Sequence, residues 1–207
     1  MITLLINGQQ RNDIRIMTGG SLSTTEAHVS SSSLTVEISI ANEPLKEFDY
    51  IEIMDGTTYI FAGTILSVKQ QSFDNINLTF QIFDLTIASN ADFMSTIFAD
   101  LGFPEGASAT QILLGNQPGD DWYSSSLGSF YGLNYRIEQQ GITVAQVDRF
   151  DDVILEQPSY LWGQKMYDVL NTLADVCGAY WVITYDRRFM FQSQASTTFA
   201  PESVDKN

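Results

Sequence analysis

Cysteine and histidine are nearly missing: Cys177 and His28 are the sole examples in 207 residues. One cysteine excludes an internal disulfide framework and any cysteine-based zinc site. A Ser-His-Asp triad would need His28, which stands in the polar run Thr24 to Ser33 with no nucleophile elbow, so His28 reads as a solvated loop residue. Cys177 sits in an apolar stripe and reads as core. Charge is also scarce, at 17% of residues, and bases are scarcest, with 10 Lys and Arg against 25 Asp and Glu for a net charge of -15. Such a surface repels phosphate, which disfavours ordinary binding to nucleic acid or anionic lipid. The excess is spread along the chain, with 10 acids and 4 bases in residues 1–90 and 15 acids and 6 bases in residues 91–207, so no tail carries it. No apolar run approaches the roughly 18 to 20 residues of a membrane-spanning helix. The opening MITLLINGQQRND has no basic flank or small-residue cleavage site. The expectation is a soluble, unprocessed chain that does not insert in a membrane.

Motifs of common chemistries are missing too. There is no GxGxxG, no Walker loop and no HExxH, and DGTTYIF at 55–61 lacks the alternating acids and closing Glu of a calcium loop. Asp120-Asp121 and Asp151-Asp152 are paired acids, but neighbours on an extended strand point to opposite faces and cannot share one ion, so they read as solvated loop acids. No catalytic, metal-binding or cofactor-binding residue is expected, and no cofactor.

What is abundant is apolar and aromatic: 44% and 12% of residues, with 13 Phe, 9 Tyr and 3 Trp. Residues 2–6 lead to Asn7-Gly8, a tight-turn dipeptide, and residues 13–17 form a second candidate strand. Leu34, Val36, Ile38 and Ile40 alternate with polar residues, the period of a strand with one face in a core. Further strands are expected at 48–54, 58–61, 64–69 and 77–83, with Asp55-Gly56 at one hairpin tip and Asp74 and Asn75 in another turn. Six or seven short strands in about 85 residues indicate a small barrel or sandwich.

Beyond Leu85 the period changes. Phe93, Ile97, Phe98 and Leu101 predict a short helix over 90–101, and Ser108 predicts a cap on a second helix ending at Gly115. Residues 116–132 are rich in Gly, Ser, Asn and Asp with Trp122, Tyr123, Phe130 and Tyr131 interspersed, which predicts an exposed loop held by aromatic contacts. The strongest helix spans 161–177, with Met166, Val169, Leu170, Leu173, Val176 and Cys177 on one face and Gly178 as its left-handed cap. A hairpin follows at 179–192, turning at Asp186-Arg187, and residues 196–207 read as a loose end.

Two segments carry a family resemblance. EFDYIEIMDGTTYIFAGTILSVKQQ at 47–71 with LTFQIFDLTI at 78–87 resembles the opening domain of phage tail (baseplate) hub proteins, with an "xFxG" tetrapeptide at Ile60 to Gly63 and an "xxDxT" segment at Ile82 to Thr86. Residues 139–192 are similar to a later domain of that family, where a helix feeds a hairpin, matched by Val169, Leu170, Leu173, Ala174, Gly178, Trp181, Ile183, Asp186 and Phe191. Residues 88–138 depart from the family segment. The resemblance covers roughly half the chain and extends to the hubs of contractile and siphophage tails and of type VI secretion spikes.

That resemblance implies a mainly β (α+β) protein of two small β-barrel-like domains, at 1–88 and 139–207, with a helical and loop insertion at 89–138 between them. It implies a non-enzymatic component of a phage tail tip in the virion, made in the host cytoplasm. Three copies would form a pseudo-hexameric ring joining tail tube or distal tail ring proteins to a tip or spike protein. DNA would pass through the channel without specific binding. Leu170, Leu173, Gly178 and Trp181 are the expected helix–hairpin core. The alternative is a virion module binding a receptor or carbohydrate, with Trp122, Tyr123 and Tyr131 as an interface or glycan-stacking surface; a cell-wall hydrolase using Asp120 or Asp121 beside Trp122 ranks behind it.

Overall fold

The computed structural model describes residues 2–17, 32–39, 43–71 and 79–194. The chain divides into two compact units, one reaching Ile97 and including Thr184–Asp186, the other holding Phe98–Ile183 and the residues from Arg187 onward. Residues 98–138 fall in the second unit.

The first unit is one antiparallel sheet of seven strands: β1 (Ile2–Ile6), β2 (Gln9–Gln10), β3 (Ile14–Ile16), β4 (Ser32–Ser39), β5 (Tyr50–Asp55), β6 (Thr58–Gln70) and β7 (Phe80–Ser89), in the order β2-β1-β5-β6-β7-β4-β3. Its edge strands β2 and β3 are consecutive in sequence. Gln10 and Ile14 are four residues apart and can be separated by at most about 14 Å. A flat sheet would hold β2 and β3 six strand spacings apart, about 29 Å. The sheet therefore curls back on itself as a half-barrel. The link is held by its own side chains: Arg11 donates from Nε and Nη2 to both carboxylate oxygens of Asp13 at 2.8 Å and from Nη2 to the Glu43 carbonyl at 2.8 Å.

Alternation selects what the curl encloses. On β4, Ser32, Leu34, Val36 and Ile38 are buried while the residues between them are not, as the period of two demands. Leu34, Val36 and Ile38 form one core with Leu4, Ile6, Ile14, Ile51, Ile53, Phe61, Ile65, Phe83, Leu85 and Ile87, each such side chain contributing about 1.5–3 kcal/mol by leaving water. Register shifts at Ile53/Met54 and at Ile65/Ser67 are bulges, which bend strands and add twist.

Residues 58–61 and 64–69, expected as two strands, are one continuous strand of 13 residues. Gly63 does not break it. A Cβ there would lie 2.0 Å from the carbonyl oxygen of Ala88, so Gly63 is where β7 crosses β6 at closest approach. Asp84, of the IFDLT segment, staples the outer face: it accepts from Gln71 Nε2 with both oxygens at 2.9 Å and from Thr35 Oγ1 at 2.9 Å, tying β4 and β7 to the end of β6. The expected helix over 90–101 is only α1 (Asn90–Phe93). Ser95 Oγ and Thr96 Oγ1 take the carbonyls of Asp92 and Phe93, which ends the helix after one turn. His28, the turn at Asp74 and Asn75, and residues 196–207 lie outside the described residues.

The second unit contains β8 (Gly102–Phe103), α2 (Ala109–Leu114), α3 (Leu133–Glu138), β9 (Thr143–Val147), β10 (Ser159–Tyr160), α4 (Met166–Cys177), β11 (Ala179–Ile183) and β12 (Arg188–Ser193). Among the described residues its strands form a three-stranded sheet, β11-β12-β9 with β9 parallel to β12, and a two-stranded ribbon of β8 and β10. Helix α4 begins at Met166, five residues later than its apolar pattern predicts; Val176 is exposed and Ala174 is buried in its place. Gly178 adopts the left-handed cap (φ 60°, ψ 43°). Trp181 joins helix to hairpin, donating from Nε1 to Asn171 Oδ1 at 2.8 Å with its ring edge-on to Tyr167. The turn Thr184–Asp186 counts with the first unit, where Tyr50 Oη donates to the Tyr185 carbonyl at 2.6 Å and Asn90 Nδ2 to the Thr184 carbonyl at 2.9 Å.

Replacing Gly63 by Ala should cost about 2–3 kcal/mol and lower the melting temperature by about 5–10 °C; an unchanged melting curve would show that β7 does not approach β6 there. Asp84 makes a second prediction. The bonds from Gln71 and Thr35, in that order, hold its carboxyl below the usual carboxylate range. A depressed folded-state pKa stabilises the fold above the unfolded value of about 3.9 and loses that contribution as pH falls through the folded one. The stability gap between wild type and Asp84→Asn should thus be present at neutral pH and close in acid below about pH 4. Chemical denaturation at several pH values measures it, and a gap independent of pH would refute the staple.

Candidate functional site

The second unit concentrates its unusual features in two neighbouring places, an ordered loop and a band of open aromatic rings. The loop begins from α2. Ser108 Oγ accepts from the Gln111 amide at 3.3 Å and the Gln111 side chain accepts from the Ser108 amide at 2.9 Å, a reciprocal cap that aims Gln111 Nε2 onward to Asn116 Oδ1 and the Trp122 carbonyl, both at 3.0 Å.

Asn116 is fully buried and its amide is saturated. Nδ2 donates to the carbonyls of Ser124 (2.8 Å) and Gly128 (2.6 Å), and Oδ1 accepts from the Ser124 amide (2.8 Å) and Gln111. Two donors and two acceptor positions are all an amide side chain has. The backbone of Asn116 also pairs in both directions with Phe130, closing the loop at its base. That closure needs two glycines: a Cβ on Gly132 would lie 2.2 Å from the Gly115 nitrogen, and Gly115 has φ of 90°. The result is a compact loop with its ends together, organised around one buried side chain.

Trp122, Tyr123 and Tyr131 therefore have different situations. Trp122 is half-buried, donates from its indole nitrogen to the Gly115 carbonyl at 2.9 Å, and lies with Arg149 over its ring at 5.9 Å. Tyr123 is half-buried. Tyr131 is exposed and stacks on Tyr135 of α3 with ring centroids 4.4 Å apart. Of the helix–hairpin residues, Leu170 and Trp181 are buried, whereas Leu173 is half-buried and lines an apolar groove of about 280 Å³ between α4 and residues 153–155.

Other exposed rings of the second unit are Phe98, Tyr160 and Trp162, the last two 67% and 69% exposed. Backbone and ion pairs link the segments that carry them. Phe98 bridges to Lys165 across a β-bridge, Arg136 of α3 donates to the Phe98 carbonyl at 3.3 Å, and Asp100 lies 3.9 Å from Arg136 while accepting from the Gly163 amide at 3.0 Å. Lys165 Nζ stands 3.7 Å from the centre of the Phe98 ring, and the Tyr160 ring lies over Gly102, where a Cβ would meet it at 3.0 Å. Tyr135, Tyr160 and Trp162 carry no signal in the sequence pattern, and Phe98 reads there as part of a helical stripe.

Groups that could do covalent or metal chemistry are not gathered here. Among the described residues no three of His, Cys, Asp and Glu stand together as a metal site. Burial, and then the charge of Asp152, push the Cys177 thiol up to about 11, so it is a thiol and not a thiolate near neutrality.

No protein-family model matches the sequence, and no curated protein matches it. Solved structures do. The chain is similar to the 43 kDa tail protein of prophage MuSo2 from Shewanella oneidensis, with TM-score 0.57 and 14% identity over 93% of this chain and 55% of that one. It is also similar to a tail protein from Neisseria meningitidis MC58, with TM-score 0.52 and 12% identity over 92% of this chain and 50% of that one. The likeness is one of fold, and the chain spans about half the length of each.

Substituting Asn116 by Ala strands four partners at once and should cost about 3 kcal/mol. Limited proteolysis should then cut within residues 117–129 while wild type resists. An unchanged cleavage pattern would mean that Asn116 does not organise the loop.

Proposed function

We propose that this chain is a structural, non-enzymatic component of a phage tail, located in the virion at the tail tip as a baseplate hub. The observation that carries the reading is the shared fold: over nine-tenths of the chain follows the backbone of each of two tail proteins. Three copies form a ring between the tail tube or a distal tail ring protein and a tip or spike protein. With two units per copy that ring is pseudo-hexameric in outline, although the seven-stranded and three-stranded sheets make the sixfold match approximate.

Physical features support the role. A ring component presents surface to its neighbours, and the exposed rings of the second unit offer it. A net charge of -15 repels phosphate, which suits a channel that DNA must traverse without sticking. The saturated amide of Asn116 and the stapled strands of the half-barrel give rigid parts of the kind an assembly needs.

Immunogold microscopy of virions or tail particles carrying a tagged copy of the chain should place label at the distal end of the tail. Virions without the chain, or with label along the tube or on the head, would overturn the reading. Filter binding of duplex DNA at about 0.1 M salt should give no retention, since bases are too few to release counterions.

A further inference from the structure

We propose that the apolar groove of the second unit binds an extended peptide, which adds as a strand beside Ile154, sets apolar side chains in the groove and lays basic ones on its acidic rim. This goes beyond the tail reading and stands without it.

Three observations carry it. The first is an open strand edge. The Val153 carbonyl accepts from the Ala109 amide at 2.8 Å and the Leu155 amide donates to the Ala107 carbonyl at 2.9 Å, so Ile154 bridges to Ser108 as a non-hydrogen-bonded antiparallel pair. In that geometry the N–H and C=O of Ile154 point away from residues 107–109. Neither has a hydrogen-bond partner among the described residues, and Ile154 is 50% exposed. One donor and one acceptor side by side are what an added strand takes up.

The second is the groove, which Ile154 itself lines. Val169, Thr172, Leu173 and Val176 give it one wall, at the spacing of neighbours on one face of α4. The residue of an added strand directly opposite Ile154 would pair with both its N–H and its C=O and carry its side chain on the same face as that of Ile154. Alternate side chains of the peptide therefore fall on the groove side. The volume of about 280 Å³ is just under the roughly 300 Å³ at which small-molecule pockets begin, which suits single side chains better than a whole ligand.

The third is charge. Within two positions of the lining residues stand six exposed acids, Glu105, Asp151, Asp152, Glu156, Asp168 and Asp175, and one base, Lys165. Asp151 is paired with Arg149, and Lys165 lies over the Phe98 ring. The other five acids have no ion-pair partner among the described residues. An apolar groove with such a rim complements a segment in which Val or Leu alternates with Lys or Arg, whose long stems reach the acids, and it repels an acidic one.

Fluorescence anisotropy of the full chain with a labelled peptide, Lys-Val-Lys-Leu-Lys-Val-Lys, tests this. Binding should saturate below about 1 mM peptide and weaken as salt rises from about 0.05 to about 0.5 M. The same peptide methylated on its valine and leucine nitrogens keeps its charge, loses the strand hydrogen bonds and should bind at least tenfold more weakly. The parent peptide should slow hydrogen exchange of the Ile154 amide at least tenfold. Val176→Gln, at an exposed position, and the Asp152→Asn/Glu156→Gln pair should each weaken binding at least threefold with unchanged melting temperature. The proposal is overturned if nothing saturates by about 1 mM, if the methylated peptide binds as the parent does, if the Ile154 amide is unaffected, or if the variants bind as wild type does. It is also overturned if that amide is protected without peptide: protection that grows with chain concentration would assign the groove to a second copy, and protection independent of concentration to residues 195–207.

Discussion

The short link Arg11-Asn12-Asp13 governs the first unit, because it joins the two outermost strands of a seven-stranded sheet and leaves the sheet no choice but to curl. Everything inside follows from that closure. The alternating side chains of β4 share one core with Leu4 and Ile6 inside the curl, and the strands bend where bulges allow it. Gly63 lets β7 lie against β6 without a side chain between them. The two glycine-dependent approaches, at Gly63 and at Gly115 with Gly132, do the same job in different units: they let backbone meet backbone.

The second unit shows how an irregular segment becomes rigid without regular structure. Between α2 and α3 the chain makes almost no ladder, yet Gln111, Asn116 and Trp122 supply the hydrogen bonds that a ladder would have supplied. That rigidity matters because the exposed rings are placed by the same stretch of chain and by its neighbours at 98–102 and 160–165.

Much of this was legible in the residues. The alternation of Leu34, Val36 and Ile38, the turn dipeptides Asn7-Gly8 and Asp55-Gly56, the cap at Ser108 and the left-handed Gly178 each carry a local physical signal, and each has its counterpart in the structure. What was not legible depends on contacts distant in sequence. Gly63 looks like a strand end until the carbonyl of Ala88 is seen beside it. The stripe Phe93, Ile97, Phe98, Leu101 has helical spacing, but Ser95 and Thr96 stop the helix and free Phe98 for the surface. The buried amide of Asn116 resembles any loop asparagine, since its four partners are spread over residues 111 to 128. The mainly β character of the chain comes from short-range pattern, whereas the open aromatic band comes only from the fold.

The curl of the first sheet is the premise on which the shared tail-protein fold stands, and methyl NOE spectroscopy of the perdeuterated, methyl-labelled chain tests it most directly. A closed sheet brings the methyl groups of Leu4 and Ile6 in β1 into the same core as that of Ile14 in β3, so cross-peaks should link the two strands. An open sheet would separate them by five strand spacings, about 24 Å, and the absence of any such cross-peak would contradict the account.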